Sequence, residues 1–466
     1  MDGAFRAEFQ TSFFRDREDA YQTYLPPPSH SYRSRSLSRR TRSTEKLHWH
    51  RKTSTQHQSP HTTYRETTGS SFHSRRHKRH SNGRSQRGKS GERRKRRQRS
   101  PKDEHPIEDD KDGHLIYFAE DILDSRYIII GTLGEGTFGK VAHCRHKYTG
   151  EEVAVKIIKN VDKYRYSAKI EIRILESISK ASGEGKKLCV KMLDWFDHNG
   201  HICIVFELLG LSVFDFLKDN EYEPYTLETV RDISYQLIKS IKFLHEHKLT
   251  HTDLKPENIM FVETEYTERA GKRGKRLNRT LVSSEIRLID FGSATHDDEH
   301  HSTIVSTRHY RGPEVLLELG WSHPCDLWSI GTIIFELYKG HTLFQTHDNR
   351  EHLIMMERIL GPFPRRMIEG TRKGKYFFKG RVDWDDRSPE SKYVREHCYN
   401  LKRYQIGKSH EEDLLFDLIA RLLEYQPEKR LTANEALQHP FFCPLPSALR
   451  SDCRKNETKL VGDVWS

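Results

Sequence analysis

The chain has 466 residues and a formal charge of +12, but the excess of positive charge is confined to one segment. Residues 31–102 carry 23 basic and three acidic side chains, whereas residues 103–466 carry 53 basic and 59 acidic ones, which excludes a uniformly basic nucleic-acid-binding globule. Seven scattered cysteines without a C-x-x-C pair indicate a reduced intracellular compartment, and no run approaches the roughly 20 apolar residues of a membrane span.

The first 110 residues are rich in Ser, Arg, His and Thr and show no hydrophobic periodicity. Because such a composition buries too little apolar surface to fold, residues 1–110 are predicted to form a disordered Arg/Ser-rich basic tail. The tail contains Arg-Ser steps, for example at residues 33–36, and a basic run at residues 93–97. Two interpretations stay open: a solvated linker, or a nuclear import signal that also makes weak contacts with RNA or other polyanions. Residues 111–126 are predicted to be a linker that leads into the folded body.

From residue 127 the sequence changes to short β-branched runs separated by glycine. Five such runs predict a five-stranded antiparallel sheet, with one helix between the third and fourth strands. The predicted strands cover residues 127–133, 141–144, 153–158, 189–193 and 202–206, and the helix covers residues 167–179. After residue 210 the hydrophobic period lengthens to that of helices. The fold class is therefore α+β, with a small β-rich lobe (127–209), a larger helical lobe (210–443) and a C-terminal tail (444–466).

A glycine-rich run with the pattern G-x-G-x-x-G-x-V lies between the first two predicted strands. A dinucleotide fold would need a helix directly after this motif, whereas residues 141–144 continue as a strand. The context favours a flexible hairpin whose backbone N–H groups close over phosphates, and a glycine-rich hairpin without a ligand is the alternative. The residues concerned are Gly134, Glu135, Gly136, Thr137, Phe138, Gly139, Lys140 and Val141.

A lysine ends the apolar run of the third predicted strand, in the sequence V-A-V-K at residues 153–156. An ammonium group in such a strand is unfavourable unless it is paired. Two partners are available: phosphate oxygens beneath the glycine-rich run, and Glu171, a lone acidic residue among the isoleucines of the following helix. Lys156 is therefore predicted to be a phosphate clamp held by Glu171, and an edge lysine that reaches solvent is the alternative.

The segment H-T-D-L-K-P-E-N at residues 251–258 brings together a carboxylate, an ammonium and an amide. Phosphoryl transfer requires a carboxylate to accept the hydroxyl proton, cations at the transferring oxygens and oxygen ligands for Mg²⁺. Asp253, Lys255 and Asn258 supply one group of each type. Asp290 begins a D-F-G triplet after an apolar run and supplies a second carboxylate at a strand end.

These four motifs, in this order and followed by a P-E pair, resemble a eukaryotic protein kinase domain across residues 127–443. The resemblance implies a bilobal kinase fold that uses ATP and Mg²⁺. It also implies that Asp253 is the catalytic base, that Lys255 neutralises the transferring phosphoryl group, and that Asn258 and Asp290 bind the metal.

The same resemblance implies that Lys156, together with Glu171, positions the α and β phosphates of ATP. It further implies that Glu314 of the P-E pair forms an ion pair with Arg430. The residues expected around the adenine are Leu133, Val141, Ala154, the bulky gatekeeper Phe206 and the hinge residues Glu207 and Leu208.

Residues 351–361 read E-H-L-I-M-M-E-R-I-L-G and closely resemble the signature of the LAMMER, or CDC-like, kinases, with Ile354 in place of the family alanine. Residues 259–289 resemble the family's inserted hairpin, and residues 345–410 the insert that contains the signature. The resemblance implies a dual-specificity kinase that phosphorylates Ser and Thr in arginine/serine-rich splicing factors, regulates pre-mRNA splicing, and autophosphorylates, also on Tyr. A nuclear location is expected, with nuclear speckles as a candidate site and some cytoplasmic protein, and a monomer is favoured.

Two positions depart from most kinases. Thr252 stands where an arginine usually precedes the catalytic aspartate, so the guanidinium socket for an activation-loop phosphate is missing. Activity is therefore expected to depend little on phosphorylation of the nearby hydroxyls of Ser302, Thr303, Ser306 and Thr307. Gly312 stands where kinases commonly carry alanine.

Two acidic clusters, at residues 297–299 and 411–413, are candidates for attracting a cationic Arg-Ser substrate, and solvated faces are the alternative. Two other functions also stay open. One is a non-catalytic RNA-binding or splicing scaffold that acts through the tail, and the other is a kinase for other basic or proline-directed substrates.

Overall fold

The computed structural model describes residues 108–270, 277–389 and 391–446. The predicted disordered tail up to residue 107 and residues 447–466 of the C-terminal tail lie outside the described residues. Among the helices of the described part, none is both long enough and apolar enough to cross a membrane.

Six strands form one sheet in the small lobe: β1 (Ile122–Leu123), β2 (Tyr127–Gly136), β3 (Gly139–His146), β4 (Glu152–Ile158), β5 (Met192–His198) and β6 (His201–Glu207). Their spatial order is β1-β2-β3-β4-β6-β5, and all neighbours are antiparallel. The strand β1 adds to the five predicted ones and escaped prediction because two residues show no hydrophobic pattern. The strand predicted at 189–193 begins only at Met192, because Glu184–Leu188 form a 3-10 helix and Cys189 makes an isolated bridge to Leu288.

The strand β4 separates the lobe's core from the cleft. Val153, Val155 and Ile157 are buried in the core, whereas Ala154 and Lys156 alternate with them and lie on the other face of the sheet. The neighbouring β3 lies so close that a Cβ atom added to Gly139 would stand 1.9 Å from the carbonyl oxygen of Ile157. The last glycine of the glycine-rich run is therefore required by packing.

The helix α1 (Asp162–Lys180) packs one face against the sheet. Tyr164, Ala168, Ile172 and Leu175 are buried at helical spacing, and Glu171 lies among them at 4 % exposure. The helix begins five residues before the predicted start, because the buried Tyr164 extends its apolar stripe towards the N-terminus.

The segment before β2 packs against the small lobe and is more than the linker predicted at residues 111–126. Leu115 is 4 % exposed and joins the core with Ile129. Asp109, which the sequence assigned to the disordered tail (1–110), also belongs to this packed segment: an oxygen of its carboxylate lies 2.9 Å from Nε2 of the buried His201. The reason for the difference is that Leu115 is buried in the small-lobe core, which a single leucine without periodicity does not reveal in a sequence.

The large lobe contains the helices α2 (Val213–Asp219), α3 (Leu227–Glu246), α4 (Pro313–Leu316), α5 (Pro324–Lys339), α6 (Asn349–Leu360), α7 (Arg365–Gly370), α8 (Lys392–His397), α9 (His410–Leu422) and α10 (Ala433–Leu437). The helix α5 forms the centre, because every residue from Cys325 to Tyr338 is buried. Buried all round, it offers a rigid base for the loops that carry the polar residues of the cleft.

The described residues of the large lobe also form four two-stranded sheets: β7 (Leu249–Thr250) with β12 (Thr295–His296), β8 (Ile259–Phe261) with β11 (Ile286–Leu288), β9 (Tyr266–Ala270) with β10 (Leu277–Leu281), and β13 (Phe377–Phe378) with β14 (Arg381–Val382). The pairs β7–β12 and β8–β11 flank the loop at residues 251–258 and the D-F-G triplet, so they bring these two segments together. The pair β9–β10 lies within the predicted inserted hairpin, and β13–β14 lies within the predicted insert at 345–410.

Candidate active site

The residues predicted to face a nucleotide lie side by side across the sheet. The strand register pairs Gly134 with Val141, Val141 with Lys156, and Ala154 with Phe206. A Cβ added to Gly134 or Gly136 would meet no atom within 4 Å, so a phosphate group has room to approach this backbone. The other predicted residues of this surface are exposed or half-buried: Leu133, Glu135, Thr137, Phe138, Lys140, Glu207 and Leu208.

Lys156 lies in a cluster with two carboxylates. Its Nζ atom is 2.8 and 2.9 Å from the two carboxylate oxygens of Glu171 and 3.3 Å from Oδ1 of Asp290. Burial alone would lower the pKa of Lys156, but the charges of Glu171 and Asp290 outweigh it and raise this pKa above its ordinary value. The lysine therefore carries its charge in the cleft and is held by the glutamate.

Asp290 stays ionised in the same cluster. Burial would raise the pKa of its carboxyl, but the positive charges of Lys156 and Lys255 outweigh burial and lower the pKa to about 2. Its backbone adopts a φ of +64°, which turns the chain sharply after β11. The N–H of Ile289 donates to the carbonyl oxygen of Asn258 at 2.9 Å, so the two predicted metal ligands are tied together through their neighbours.

A carboxylate on α5 holds the loop at residues 251–258 in place by hydrogen bonds. Asp326 is 1 % exposed, and its oxygens accept hydrogen bonds from the backbone N–H of His251 at 2.9 Å and of Thr252 at 3.0 Å. Its Oδ2 atom also lies 3.0 Å from Nε2 of His245. Burial acts to raise the pKa of Asp326, but these partners outweigh it and lower the pKa. The rigid α5 thereby sets the position of the loop.

Asp253 has two side-chain partners that orient its carboxylate. Lys255 Nζ contacts Oδ2 at 2.5 Å, and the hydroxyl of Thr307 donates to Oδ1 at 2.6 Å. The N–H of Thr307 also donates to Oδ1, at 3.0 Å. Asn258 Nδ2 donates to the backbone oxygen of Asp253 at 2.9 Å, which leaves the amide oxygen of Asn258 for another ligand. The structure thus assembles Asp253, Lys255 and Asn258 into one site.

Thr307 is a site residue that sequence reasoning missed. Its position, 54 residues after Asp253, gave no local signal, and the sequence suggested only a phosphorylatable hydroxyl. In the structure its hydroxyl lies between Asp253 and Lys255, with Lys255 Nζ at 3.4 Å. A hydroxyl engaged in this way is poorly placed to be modified.

Thr252 occupies the position of the usual arginine and makes a hydrogen bond to the residue after the D-F-G triplet. It is 1 % exposed, with a φ of +69° that β-branched residues rarely adopt. Its hydroxyl donates to the carbonyl oxygen of Ser293 at 2.8 Å, just after the D-F-G triplet. The loop that carries Asp253 is therefore linked to the Asp290 segment without a guanidinium group or a phosphate.

The activation segment, defined here as residues 290–314, ends in the predicted ion pair. Arg430 contacts both carboxylate oxygens of Glu314, at 2.7 and 3.0 Å, and both side chains are buried. A Cβ atom at Gly312 would lie 2.7 Å from an oxygen of that same carboxylate. Glycine at this position is therefore compatible with the geometry of the ion pair.

The two acidic clusters are partly occupied by contacts within the chain. Asp297 lies 2.8 Å from Nε2 of His323. Glu411 pairs with Arg231 at 3.3 Å, and Glu412 completes a capping box with Ser409 at the start of α9. The cluster at 411–413 therefore has a structural role as the first turn of a helix.

Residues 127–442 match the family model described as Protein kinase domain. Human Dual specificity protein kinase CLK2 is 61 % identical over 340 residues, which cover 73 % of this chain and 68 % of that protein. Mouse Dual specificity protein kinase CLK1 is 56 % identical over 345 residues, which cover 74 % of this chain and 71 % of that protein. Serine/threonine-protein kinase Doa of Drosophila melanogaster is 59 % identical over 345 residues, which cover 73 % of this chain and 42 % of Doa.

A crystal structure of a kinase domain is also similar, with a TM-score of 0.66 and 34 % sequence identity. The matched region covers 72 % of this chain and 100 % of the chain in that crystal structure. The family model covers every site residue described above, and two of the relatives, CLK2 and CLK1, are named dual specificity protein kinases. The chain therefore belongs to the protein kinase family, and within it to the LAMMER, or CDC-like, dual-specificity kinases, which use ATP and a divalent metal.

Proposed function

We propose that this dual-specificity kinase phosphorylates serine and threonine in arginine/serine-rich splicing factors and so regulates pre-mRNA splicing. The observation that carries the proposal is an assembled Asp253 site in a chain whose own tail contains Arg-Ser steps like those of the substrate. The basic run at residues 93–97 supports a nuclear location, including nuclear speckles, with some protein in the cytoplasm. The enzyme is proposed to act as a monomer.

Asp253 is the proposed catalytic base. Lys255 and Thr307 hold its carboxylate in place, so little reorganisation is needed when substrate arrives. The carboxylate accepts the proton of the substrate hydroxyl as that oxygen bonds to the γ-phosphorus and the bond to the leaving ADP oxygen breaks. Lys255 balances negative charge on the group in transfer.

Asn258 and Asp290 are the proposed ligands of Mg²⁺. The amide oxygen of Asn258 is available and the carboxylate of Asp290 is ionised, and hard oxygen ligands of this kind suit Mg²⁺. When bound, Mg²⁺ neutralises charge on the phosphate oxygens of the nucleotide. Lys156, held by Glu171, would contact the α and β phosphates below the glycine-rich run.

The tail is proposed to be a substrate of its own kinase. Residues 31–102 carry 23 basic and three acidic side chains. Each phosphate adds roughly −1.5 to −2 charges at neutral pH, so about ten phosphates would offset this excess. Autophosphorylation would thereby release the tail from weak contacts with RNA and other polyanions.

The test is transfer of label from γ-labelled ATP to an Arg-Ser peptide and to a Ser-Pro peptide of equal length. Wild-type protein is expected to label the Arg-Ser peptide preferentially, and Asp253→Asn is expected to label neither. Preference for the Ser-Pro peptide would instead support a proline-directed kinase. Absence of label above the Asp253→Asn control on both peptides would contradict the proposal and favour the scaffold.

A further inference from the structure

A cavity of about 330 Å³ opens between the activation segment and the loop that joins α4 to α5. Its volume is at the lower end of the range of roughly 300–1,000 Å³ that small-molecule pockets occupy. It is therefore large enough for one or two side chains of a partner. The lining residues are His301, Ser302, Thr303, Glu318, Leu319, Gly320, Trp321 and Arg372.

The polar groups of this cavity favour an anion. Arg372 is exposed and makes no ion pair with any residue of the described part of the chain. The ring of His301 stacks on Trp321 at 4.3 Å, and its buried Nε2 atom has no hydrogen-bond partner within the described ranges. The one carboxylate in the lining, Glu318, is offset by Lys373, whose Nζ lies 2.8 Å away.

The cavity lies beside a basic stretch of the surface. Residues 365–381 contain seven basic side chains and one acidic side chain, and all of them belong to the described residues. Four of the basic groups are ion-paired, namely Arg365, Arg366, Lys373 and Arg381. Arg372, Lys375 and Lys379 have no ion pair within the described ranges, so this side of the cavity keeps a positive potential.

The cavity is within reach of a substrate bound at Asp253. Thr303 in its lining is four residues from Thr307, which contacts Asp253 directly. Four residues of chain span at most about 14 Å. An extended peptide with its acceptor hydroxyl at Asp253 would therefore reach the cavity with its fourth or fifth neighbouring residue.

We propose that this cavity is a subsite for a phosphoserine of a partly phosphorylated Arg/Ser substrate, bound by Arg372 and His301. The proposal rests on the substrate class given under Proposed function. An unphosphorylated Arg-Ser repeat is cationic and is repelled by Arg372, whereas each phosphate adds roughly −1.5 to −2 charges and reverses the sign of the repeat. The kinase would thus bind substrate that already carries phosphate and add phosphate to a serine four or five residues away.

The geometry favours a phosphopeptide over nucleic acid. The cavity holds one or two side chains, and its lining residue Thr303 is at most about 14 Å along the chain from Thr307, which contacts Asp253, so four or five residues of an extended peptide could bridge the two. RNA would instead spread over the surrounding basic surface, where Phe378 is 62 % exposed and available for base stacking, whereas Trp321, the ring inside the cavity, is only 9 % exposed.

The experiment compares pairs of Arg/Ser peptides with a single acceptor serine, and the two members of a pair differ only in whether a second serine, five residues away, is phosphorylated. In one pair this second serine lies on the N-terminal side of the acceptor, and in the other pair it lies on the C-terminal side. For one of the two pairs, full-length wild-type enzyme is expected to show a KM for the phosphopeptide that is about fivefold lower than the KM for the unphosphorylated peptide of the same pair. Arg372→Ala is expected to remove this advantage, because KM for the phosphorylated peptide rises while relief of the repulsion by Arg372 lowers KM for the unphosphorylated peptide. Arg372→Lys is expected to keep part of it.

Lys379→Ala serves as the matched control, because it removes the same charge from the basic stretch without touching the cavity. It is expected to retain the preference for phosphopeptide. Equal KM values for the two peptides in wild-type enzyme, or an undiminished preference in Arg372→Ala, would overturn the subsite. Competition by a short single-stranded RNA that is lost in Arg372→Ala would also overturn it in favour of nucleic acid. Failure of wild-type enzyme to phosphorylate either peptide would instead refute the proposed function.

Discussion

A buried glutamate below the activation segment leads to a quantitative prediction about pH. Glu336 on α5 is 3 % exposed, and its Oε2 atom accepts a hydrogen bond from the hydroxyl of Tyr310 at 2.8 Å. The pKa of its carboxyl is raised from 4.5 to about 8, mainly by burial. The hydrogen bond from Tyr310 opposes this rise, and the charge of Glu257 adds to it. Glu336 is therefore mostly protonated at pH 7 in the folded protein.

The sign of the pH effect follows from this raised pKa. The protonated carboxyl favours the folded state below pH 4.5, and this stability is lost progressively as the pH rises towards about 8. Each pH unit between the two pKa values costs about 1.4 kcal/mol. Raising the pH from 5 to 7 is therefore expected to destabilise the wild-type protein by about 2 to 3 kcal/mol relative to Glu336→Gln, which cannot ionise.

The assay is thermal and urea unfolding of wild type and Glu336→Gln at pH 5, 6 and 7. The matched control is Glu412→Gln, which also alters a buried glutamate bonded to a tyrosine, Tyr338. The pKa of Glu412 is lowered, because bonds from Tyr338 and two backbone N–H groups outweigh burial, so its contribution is nearly constant over this pH range. Parallel stability curves for wild type and Glu336→Gln would refute the reasoning.

Five further variants and one treatment test other parts of the structure. Thr252→Val is expected to lower kcat by about fivefold because it loses the bond to Ser293, whereas Thr252→Ser should retain activity, and phosphatase treatment of wild type should leave turnover unchanged. Lys156→Met should abolish phosphoryl transfer. It should also lower the free energy of unfolding by about 3 kcal/mol, because the buried Glu171 loses its partner, and this loss is followed as a fall in Tm. An unchanged Tm would contradict the buried ion pair. In urea titrations, Leu115→Ala should lower the free energy of unfolding by about 2 to 3 kcal/mol. The control Ile116→Ala changes an exposed neighbour and should lower it little. Equal losses would show that the segment before β2 does not contribute to the core.

The chemistry of the cleft could be predicted from the sequence because each motif is local. A glycine-rich run, a lysine that ends an apolar strand and a loop with Asp253, Lys255 and Asn258 are recognisable within a few residues. The five main strands and α1 could also be predicted, because their periodicity records which side chains are buried. The short β1 and the packing of Leu115 left no such periodicity.

The distances between these groups depend on the tertiary structure. Lys156 meets Asp290 across 134 residues of chain, and Thr307 reaches Asp253 across 54. Likewise, the sequence contains Glu336 as an ordinary helical glutamate, and only its burial raises its pKa. Residue types and local periodicity are properties of short segments, so the sequence alone determined the chemistry and the elements. Contact and burial arise only when distant segments pack, so the tertiary structure decided which groups meet and which of them carry charge.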